Sequence, residues 1–338
     1  MGDLFLQYEV VIKLMKEFDS ITIYNEDALE IYNEWDKPTT IISDGAYGVN
    51  GFPTDTNNVN KLKDWYRNHI QSWSEYATAE TTLWLWNTEI GWANIHPLLE
   101  KNGWNYRGLN IWNKGIQHIA GNSNTKTLRK FPQVTEVCAH YIRSSKTTLK
   151  NKDINVQDWI RDEWEKTGLN FNKANEACNV SDAATRKYLT SGDEWYFPPK
   201  NRFEKLIKYA NEHGCEENKP YFTINGSTIT HDDLKKLRGK FDCPVGVTNV
   251  WDCPPLHTDE RVKNDDGEYI HLNQKPKKLI RRIIQASSNE DDIIWEPFGG
   301  LCTGGIVAKE EDRTAFCSEI EQSYYNYAIK RFKSEFSL

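Results

Sequence analysis

Two short stretches of the chain hold residue types whose order suggests chemistry. In IISDGAYGV, residues 41–49, two isoleucines that read as the end of a buried strand give way at once to Asp44, Gly45, Ala46 and Tyr47. A carboxylate, two residues without bulk and an aromatic ring thus stand at the lip of a sheet. In IIWEPFGGLCTGG, residues 293–305, a strand ends near Trp295 and Glu296 opens a tight turn holding Gly299 and Gly300. Glycines at such a turn let a ligand come close to the backbone. The next strand ends at Glu319, and an acid at this second strand end is the usual partner for ribose hydroxyls in nucleoside-binding sheets. A glycine turn alone is also an ordinary structural device. The turn, the acid and the strand context together point to a nucleoside.

These residues need a frame that presents strand ends side by side. Within residues 19–118, SITIYNEDALEIYNEW reads as a strand, an acidic turn and a helix. PTTIIS, TTLWLWNT and RGLNIWNKG read as further strands, followed by EVCAHYIR, and NKLKDWYRNHIQSWSEYA and GWANIHPLLEKNGW as helices. The alternation returns near Val247 with a basic helix, a strand, the glycine turn, a helix, a strand and a last helix. This order predicts an α/β fold with a doubly wound, mostly parallel sheet, whose ligands sit beyond the carboxyl ends of its strands. Residues 145–245 are polar and helix-rich, so the chain divides into 1–144, 145–245 and 246–338. FNKANEACNVSDAATRKYLTSG reads as two short helices around a turn at residues 179–182, with Ser181 capping the second and Arg186 and Lys187 one turn in. A helix-turn-helix and an ordinary helical hairpin fit these letters equally.

Composition sets the bounds. The 338 residues carry a net charge of −7 and a mean hydropathy of −0.72. No stretch approaches the ~20 apolar residues of a membrane span. The first eighteen residues, MGDLFLQYEVVIKLMKEF, lack the layout of a signal peptide and read as a short amphipathic helix. Seven cysteines without a CxxC pair predict a reduced, cytoplasmic protein with no structural metal. Against the acidic total, residues 107–152 hold nine bases and one acid, Glu136. That stretch is either a solvated basic loop or a phosphate-contacting surface.

Five segments resemble one family in the correct order. HLNQKP, WEPFGGLCTGG and SEIEQSYYNYAIKRF resemble the C-terminal half of amino-group (adenine-N6 or cytosine-N4) DNA methyltransferases, with their QKP loop, D-P-F-x-G-x-G-T turn and acid followed by a tyrosine-bearing helix. NEDALE, residues 25–30, resembles the family's G-D-x-L-E turn, and SDGAYG its D-P-P-Y-G. NIWNKG and EVCAHY fit the strands that follow. The order is the permuted, beta-type one, catalytic half first, and the likeness spans the chain except residues 145–245.

The resemblance implies a Rossmann-like, S-adenosylmethionine-dependent methyltransferase with an inserted target recognition region. The amino group of adenine or cytosine is a poor nucleophile because its lone pair is delocalised. Acceptors for both amino hydrogens free that pair: Asp44 and the Gly45 carbonyl, in the Asp44–Gly45–Ala46–Tyr47 tetrad, with Tyr47 stacking on an extruded base. For the cofactor, the resemblance implies Asp27 near the adenine amino group and Lys275 near the methionine carboxylate. Glu296, Phe298, Gly300 and Thr303 form the turn beneath it, and Glu319 takes the ribose hydroxyls. Arg129, Lys130, Arg186, Lys187, Lys200 and Arg202 are the candidates for contact with duplex DNA, the implied partner. A homodimer and a separately encoded restriction endonuclease are further partners compatible with the family. Asp44 in first place favours adenine over cytosine. Gly45 and Ala46 replace two prolines, Leu301 and Cys302 stand where small residues are usual, and Glu296 is longer than the usual aspartate. A methyltransferase acting on RNA or protein, and a non-catalytic DNA-binding relative, are the competing readings.

Overall fold

A computed structural model describes residues 14–49, 55–119, 124, 126–143, 147–149, 152–192, 194–236, 241–243, 245–257, 261–264, 266–270 and 273–337. The chain forms two compact units: Met1–Arg143 with Asp242–Leu338, and Ser144–Phe241.

In chain order the first unit opens with β1 (Met15–Phe18), β2 (Ile21–Tyr24), β3 (Thr40–Ser43), α1 (Leu62–Tyr76), β4 (Thr82–Asn87), α2 (Glu89–Lys101), β5 (Asn105–Asn113) and β6 (Thr135–Ile142). The second unit holds β7 (Thr147–Leu149), β8 (Lys152–Ile154), α3 (Val156–Glu165), α4 (Lys173–Cys178), α5 (Ala183–Tyr188), α6 (Lys200–His213), β9 (Thr223–Ile224), β10 (Ser227–Thr228) and α7 (His231–Lys236). The first unit then resumes with β11 (Val250–Asp252), α8 (Lys277–Ser287), β12 (Ile293–Glu296), α9 (Thr303–Glu310), β13 (Thr314–Ser318) and α10 (Gln322–Phe336).

Nine strands make one sheet in the order β1-β2-β13-β12-β3-β4-β6-β5-β11. The middle of it, from β2 to β4, is parallel, whereas β6 runs antiparallel to both neighbours. β3 and β4 are buried along their whole length, as parallel strands covered on both faces must be. Alternation sorts their side chains. Ile42, Trp84, Trp86 and Ile294 join the core under α8, α9 and α10. Ile41, Leu83, Leu85 and Trp295 join the core under α1 and α2. Strand order reverses direction at β12 and β3, which makes their adjacent carboxyl ends the place where a crevice opens.

Three local expectations give way. Residues 15–18 form an edge strand, not a helix, because Asp19 at φ 58° turns the chain back so that Met15–Phe18 pairs with Ile21–Tyr24; residues 1–13 lie outside the described residues. Residues 25–35 form two 3₁₀ turns instead of an α-helix. Asp27 accepts from the Leu29 amide to start the first turn, and Ile31, at φ −130°, breaks helical continuity between them. Residues 145–245, read as polar and helix-rich, also hold two short strand pairs, β7 with β8 and β9 with β10. In the second unit a separate core gathers Ile160, Trp164, Phe203, Leu206, Phe222 and Leu234.

Candidate functional site

A cavity of about 400 Å³ lies at the crevice between the ends of β3 and β12. The Asp44–Tyr47 lip and the Phe298–Gly300 turn, distant in sequence, both line it, as do Asp27 and Glu319. Six carboxylates face it, from Glu26, Asp27, Asp44, Asp55, Glu319 and Glu321, and among the described residues no lysine or arginine lines it.

The lip is fixed from outside the tetrad. Tyr47 and Gly48 donate their backbone N–H groups to the Asp55 carboxylate, at 2.8 and 2.7 Å. The Ala46 carbonyl accepts from the Tyr66 hydroxyl at 3.2 Å and the Asn87 amide at 2.9 Å. Neither donor goes to the Gly45 carbonyl. The glycine at 45 has a packing cause: a Cβ there would stand 2.8 Å from both Phe298 Cδ2 and the Tyr66 hydroxyl. Asp44 accepts on Oδ1 from the Tyr47 hydroxyl at 2.8 Å. Burial, with Asp44 and Glu136 nearby, pushes the Tyr47 hydroxyl far above the usual tyrosine range, so it stays a donor.

Lys275, which the family likeness sets near the methionine carboxylate, lies behind the lip. It is 4% exposed and is absent from the cavity lining. Its ammonium donates to Asp44 Oδ1 at 2.9 Å and to the Tyr47 hydroxyl at 3.1 Å, and Glu136 Oε2 lies 3.3 Å away. Glu136 is also paired with Lys114. Burial works against both charges, but Asp44 and Glu136 hold Lys275 above the ordinary lysine value, and Lys275 and Lys114 hold Glu136 below the ordinary carboxylate value. Sequence reading missed Glu136, Asp55 and Asn87. Glu136 had a signal: it is the lone acid of the basic stretch and lies in a strand of buried residues.

On the other side of the crevice, the glycine turn is held from behind. Glu296 accepts from the Gly304 and Gly305 amides, at 2.7 and 2.9 Å, and so satisfies the amino end of α9. Burial raises its carboxyl to about 7. A Cβ at Gly304 would sit 2.7 Å from that carboxyl carbon, so only glycine fits there. Thr303 accepts from Arg331 at 2.9 Å. Neither Glu296 nor Thr303 lines the cavity. The Glu296 carboxylate and the Cys302 and Cys317 thiols put their ligand atoms within 4.8 Å of one another. Glu319 accepts from the Gly300 amide at 2.7 Å on one oxygen and from the Glu321 amide at 2.8 Å on the other. Burial raises its carboxyl too.

The basic candidates scatter. Arg129 and Lys130 are exposed, but Lys114 pairs inward and Arg143 donates to the Asn102 carbonyl at 2.6 Å, so the basic stretch is not one surface. Lys146 and Lys150 lie outside the described residues. In the second unit Lys200 is exposed, Arg186 faces Asp182 at 3.7 Å, and the Lys187 ammonium stands 4.8 Å from the Tyr196 ring centre. Arg202 is half-buried and donates to the Cys178 carbonyl, a structural use. The short helices α4 and α5 meet at a turn through Asn179, at φ 52°. Ser181 does not cap α5. The Asn175 side chain does, accepting from the Ala184 and Thr185 amides, both at 3.0 Å.

Residues 30–330 match the N6/N4 family model described as DNA methylase. The type II methyltransferase M.HinfI of Haemophilus influenzae is 34% identical over 119 residues, which are 35% of this chain and 30% of that protein. The DNA adenine methyltransferase YhdJ of Escherichia coli K12 is 42% identical over 84 residues, 25% of this chain and 26% of that protein. The chain therefore spans less than a third of the length of either relative. Among solved structures, the PvuII DNA methyltransferase (cytosine-N4-specific) superposes with a TM-score of 0.54 at 10% identity, covering 92% of this chain and 86% of that one. That likeness is one of fold.

Proposed function

We infer, for a chain that belongs to the N6/N4 DNA methylase family, that it methylates an exocyclic amino group of a base in duplex DNA, adenine N6 in preference to cytosine N4. One observation carries the reading: Asp44, Gly45, Phe298, Gly300 and Glu319 line a single cavity. The residues present fit S-adenosylmethionine. A cavity of about 400 Å³ is within the range of about 300–1,000 Å³ for small-molecule sites. Carboxylates without lysine or arginine suit a ligand that carries positive charge, and Phe298 and Trp65 offer apolar walls. When bound, that cofactor supplies an electrophilic methyl group on a sulfonium centre.

The chain's own part is to orient and accept. Asp44 and the Gly45 carbonyl take the two amino hydrogens of a base rotated out of the duplex. That draws the nitrogen lone pair out of conjugation and towards the methyl group. With the cofactor bound, the methyl would leave its sulfur as a neutral thioether, and the nitrogen that takes the methyl would shed one proton towards the Asp44 carboxylate, which passes it to solvent. Tyr47 covers the base, Glu319 receives ribose hydroxyls and Asp27 the adenine amino group. Glu296 and Thr303 act beneath the cofactor by holding the turn. Residues 145–245 serve as the target recognition region, with Arg186, Lys187 and Lys200 as contacts there, and Arg129 and Lys130 from the first unit. A restriction–modification setting follows if the kinship to a type II methyltransferase extends to biology.

Transfer of tritium from labelled S-adenosylmethionine to duplex DNA tests this. Wild type should label duplex DNA, and Asp44→Ala should not, while still binding DNA. Label appearing only in RNA or protein, or equal labelling by Asp44→Ala, would overturn it.

A further inference from the structure

The two oxygens of Asp44 are used unequally. Oδ1 accepts from the Tyr47 hydroxyl at 2.8 Å and from the Lys275 ammonium at 2.9 Å. Oδ2 takes no hydrogen bond from any described residue, and Asp44 lines the cavity. An unclamped carboxylate rotates broadly about its last torsion and offers either oxygen. This one is pinned.

The pin is itself held. The three protons of an ammonium have three acceptors here: Asp44 Oδ1, the Tyr47 oxygen at 3.1 Å and Glu136 Oε2 at 3.3 Å. Charges alternate along Lys114, Glu136, Lys275 and Asp44, so the two inner charges each have an opposite neighbour on both sides. That arrangement makes their burial tolerable. Aromatic faces close the rest of the space, with the Lys275 nitrogen 5.3 Å from the Tyr47 ring centre and 5.4 Å from that of Trp86.

We propose that Lys275, held by Glu136, is a positioning residue for methyl transfer: it pins Oδ1 of Asp44 so that Oδ2 alone meets the substrate's amino hydrogen. The proposal rests on the methyltransferase reading and deepens it. It also assigns Lys275 to the acceptor side of the crevice and not to the cofactor's carboxylate, and the two assignments predict different losses.

The test uses full-length protein, duplex DNA and S-adenosylmethionine, with single-turnover transfer rates and calorimetric cofactor affinity measured separately. Lys275→Met should slow transfer about 100-fold, the scale of an ångström-sized misplacement, with cofactor affinity unchanged. Because removing one buried charge can unfold the protein, the charge-balanced pair Lys275→Met with Glu136→Gln is measured beside it. That pair should melt like wild type and still transfer slowly. A folded charge-balanced variant with wild-type rate overturns the proposal. So does a rate loss matched by an equal loss of cofactor affinity, which returns Lys275 to the cofactor side. Wild-type protein that binds the cofactor yet labels no DNA overturns the underlying reading and this inference with it.

Discussion

Asp44 and Glu296 stand at the carboxyl ends of neighbouring parallel strands, yet they are held by opposite means. Asp44 is gripped on one oxygen by an ammonium and a hydroxyl. Glu296 has no ion pair among the described residues, and each of its oxygens accepts from a backbone amide of α9. The comparison teaches that a strand-end carboxylate is not a reactive group by position alone. What matters is whether the carboxylate lines the cavity, as Asp44 does and Glu296 does not, and which lone pairs the fold has left to it. Glu296 has given its strongest acceptor directions to the helix, whereas Asp44 keeps one oxygen for a ligand.

Four experiments break or sharpen this contrast. Asp44→Ala should cut methyl transfer by about 10³-fold and, because it strips the buried Lys275 of a partner, lower the melting temperature as well, whereas Glu296→Gln should lower the rate far less; equal rate losses in two variants that are folded at the assay temperature would erase the distinction. The second concerns pH. Burial raises Glu296 from 4.5 to about 7, so the folded protein keeps a proton that the unfolded chain has released between those values. Stability should therefore fall as pH rises through that window, by on the order of 3 kcal/mol; Glu296→Gln should remove that part of the fall and leave the part of the same sign that the raised Glu319 carboxyl contributes. His69 and His140, which burial lowers from 6.5 to about 4 and about 3, act in the opposite sense below 6.5. The readout is thus the difference in urea midpoints between variant and wild type across pH. Third, Gly45→Ala should cost about 2 kcal/mol in thermal or urea unfolding, because the new methyl group overpacks against Phe298 and Tyr66. Fourth, Asn175→Ala in the second unit should cost about 1 kcal/mol in urea unfolding, and Ser181→Ala should leave stability unchanged. Asn175 performs for α5 what Glu296 performs for α9, with no charge at all, so its result measures the amide-accepting part of the role separately.

The strand ends were legible because runs such as TTLWLWNT and IIWE stop abruptly at polar or glycine residues. Chain order then placed Asp44, Glu296 and Glu319 at carboxyl ends. The row behind Asp44 was not legible. Lys114 and Glu136 come from the basic stretch and Lys275 from a loop more than a hundred residues on; Glu136 stands out there only as a lone acid, and the two lysines read as a surface charge and a ligand contact. Only their shared burial makes them partners. The same reason hid Asn175: a cap is sought at the residue before the helix, but this one reaches across from α4. Residues 15–18 carry a pattern that suits a helix over a longer window, and the reversal at Asp19 decides against it.

The seam between β3 and β12 has one further consequence. Thr40 is registered with Ile294 and Ile41 with Trp295, so a backbone ladder sets how far the Asp44 lip stands from the glycine turn. Such a ladder adjusts only in whole steps of about 3.3 Å per residue, and a single step would also turn each strand's side chains to the wrong face. The gauge for the reaction is therefore written into strand pairing between β3 and β12, to which the described residues of 144–241 contribute no strand.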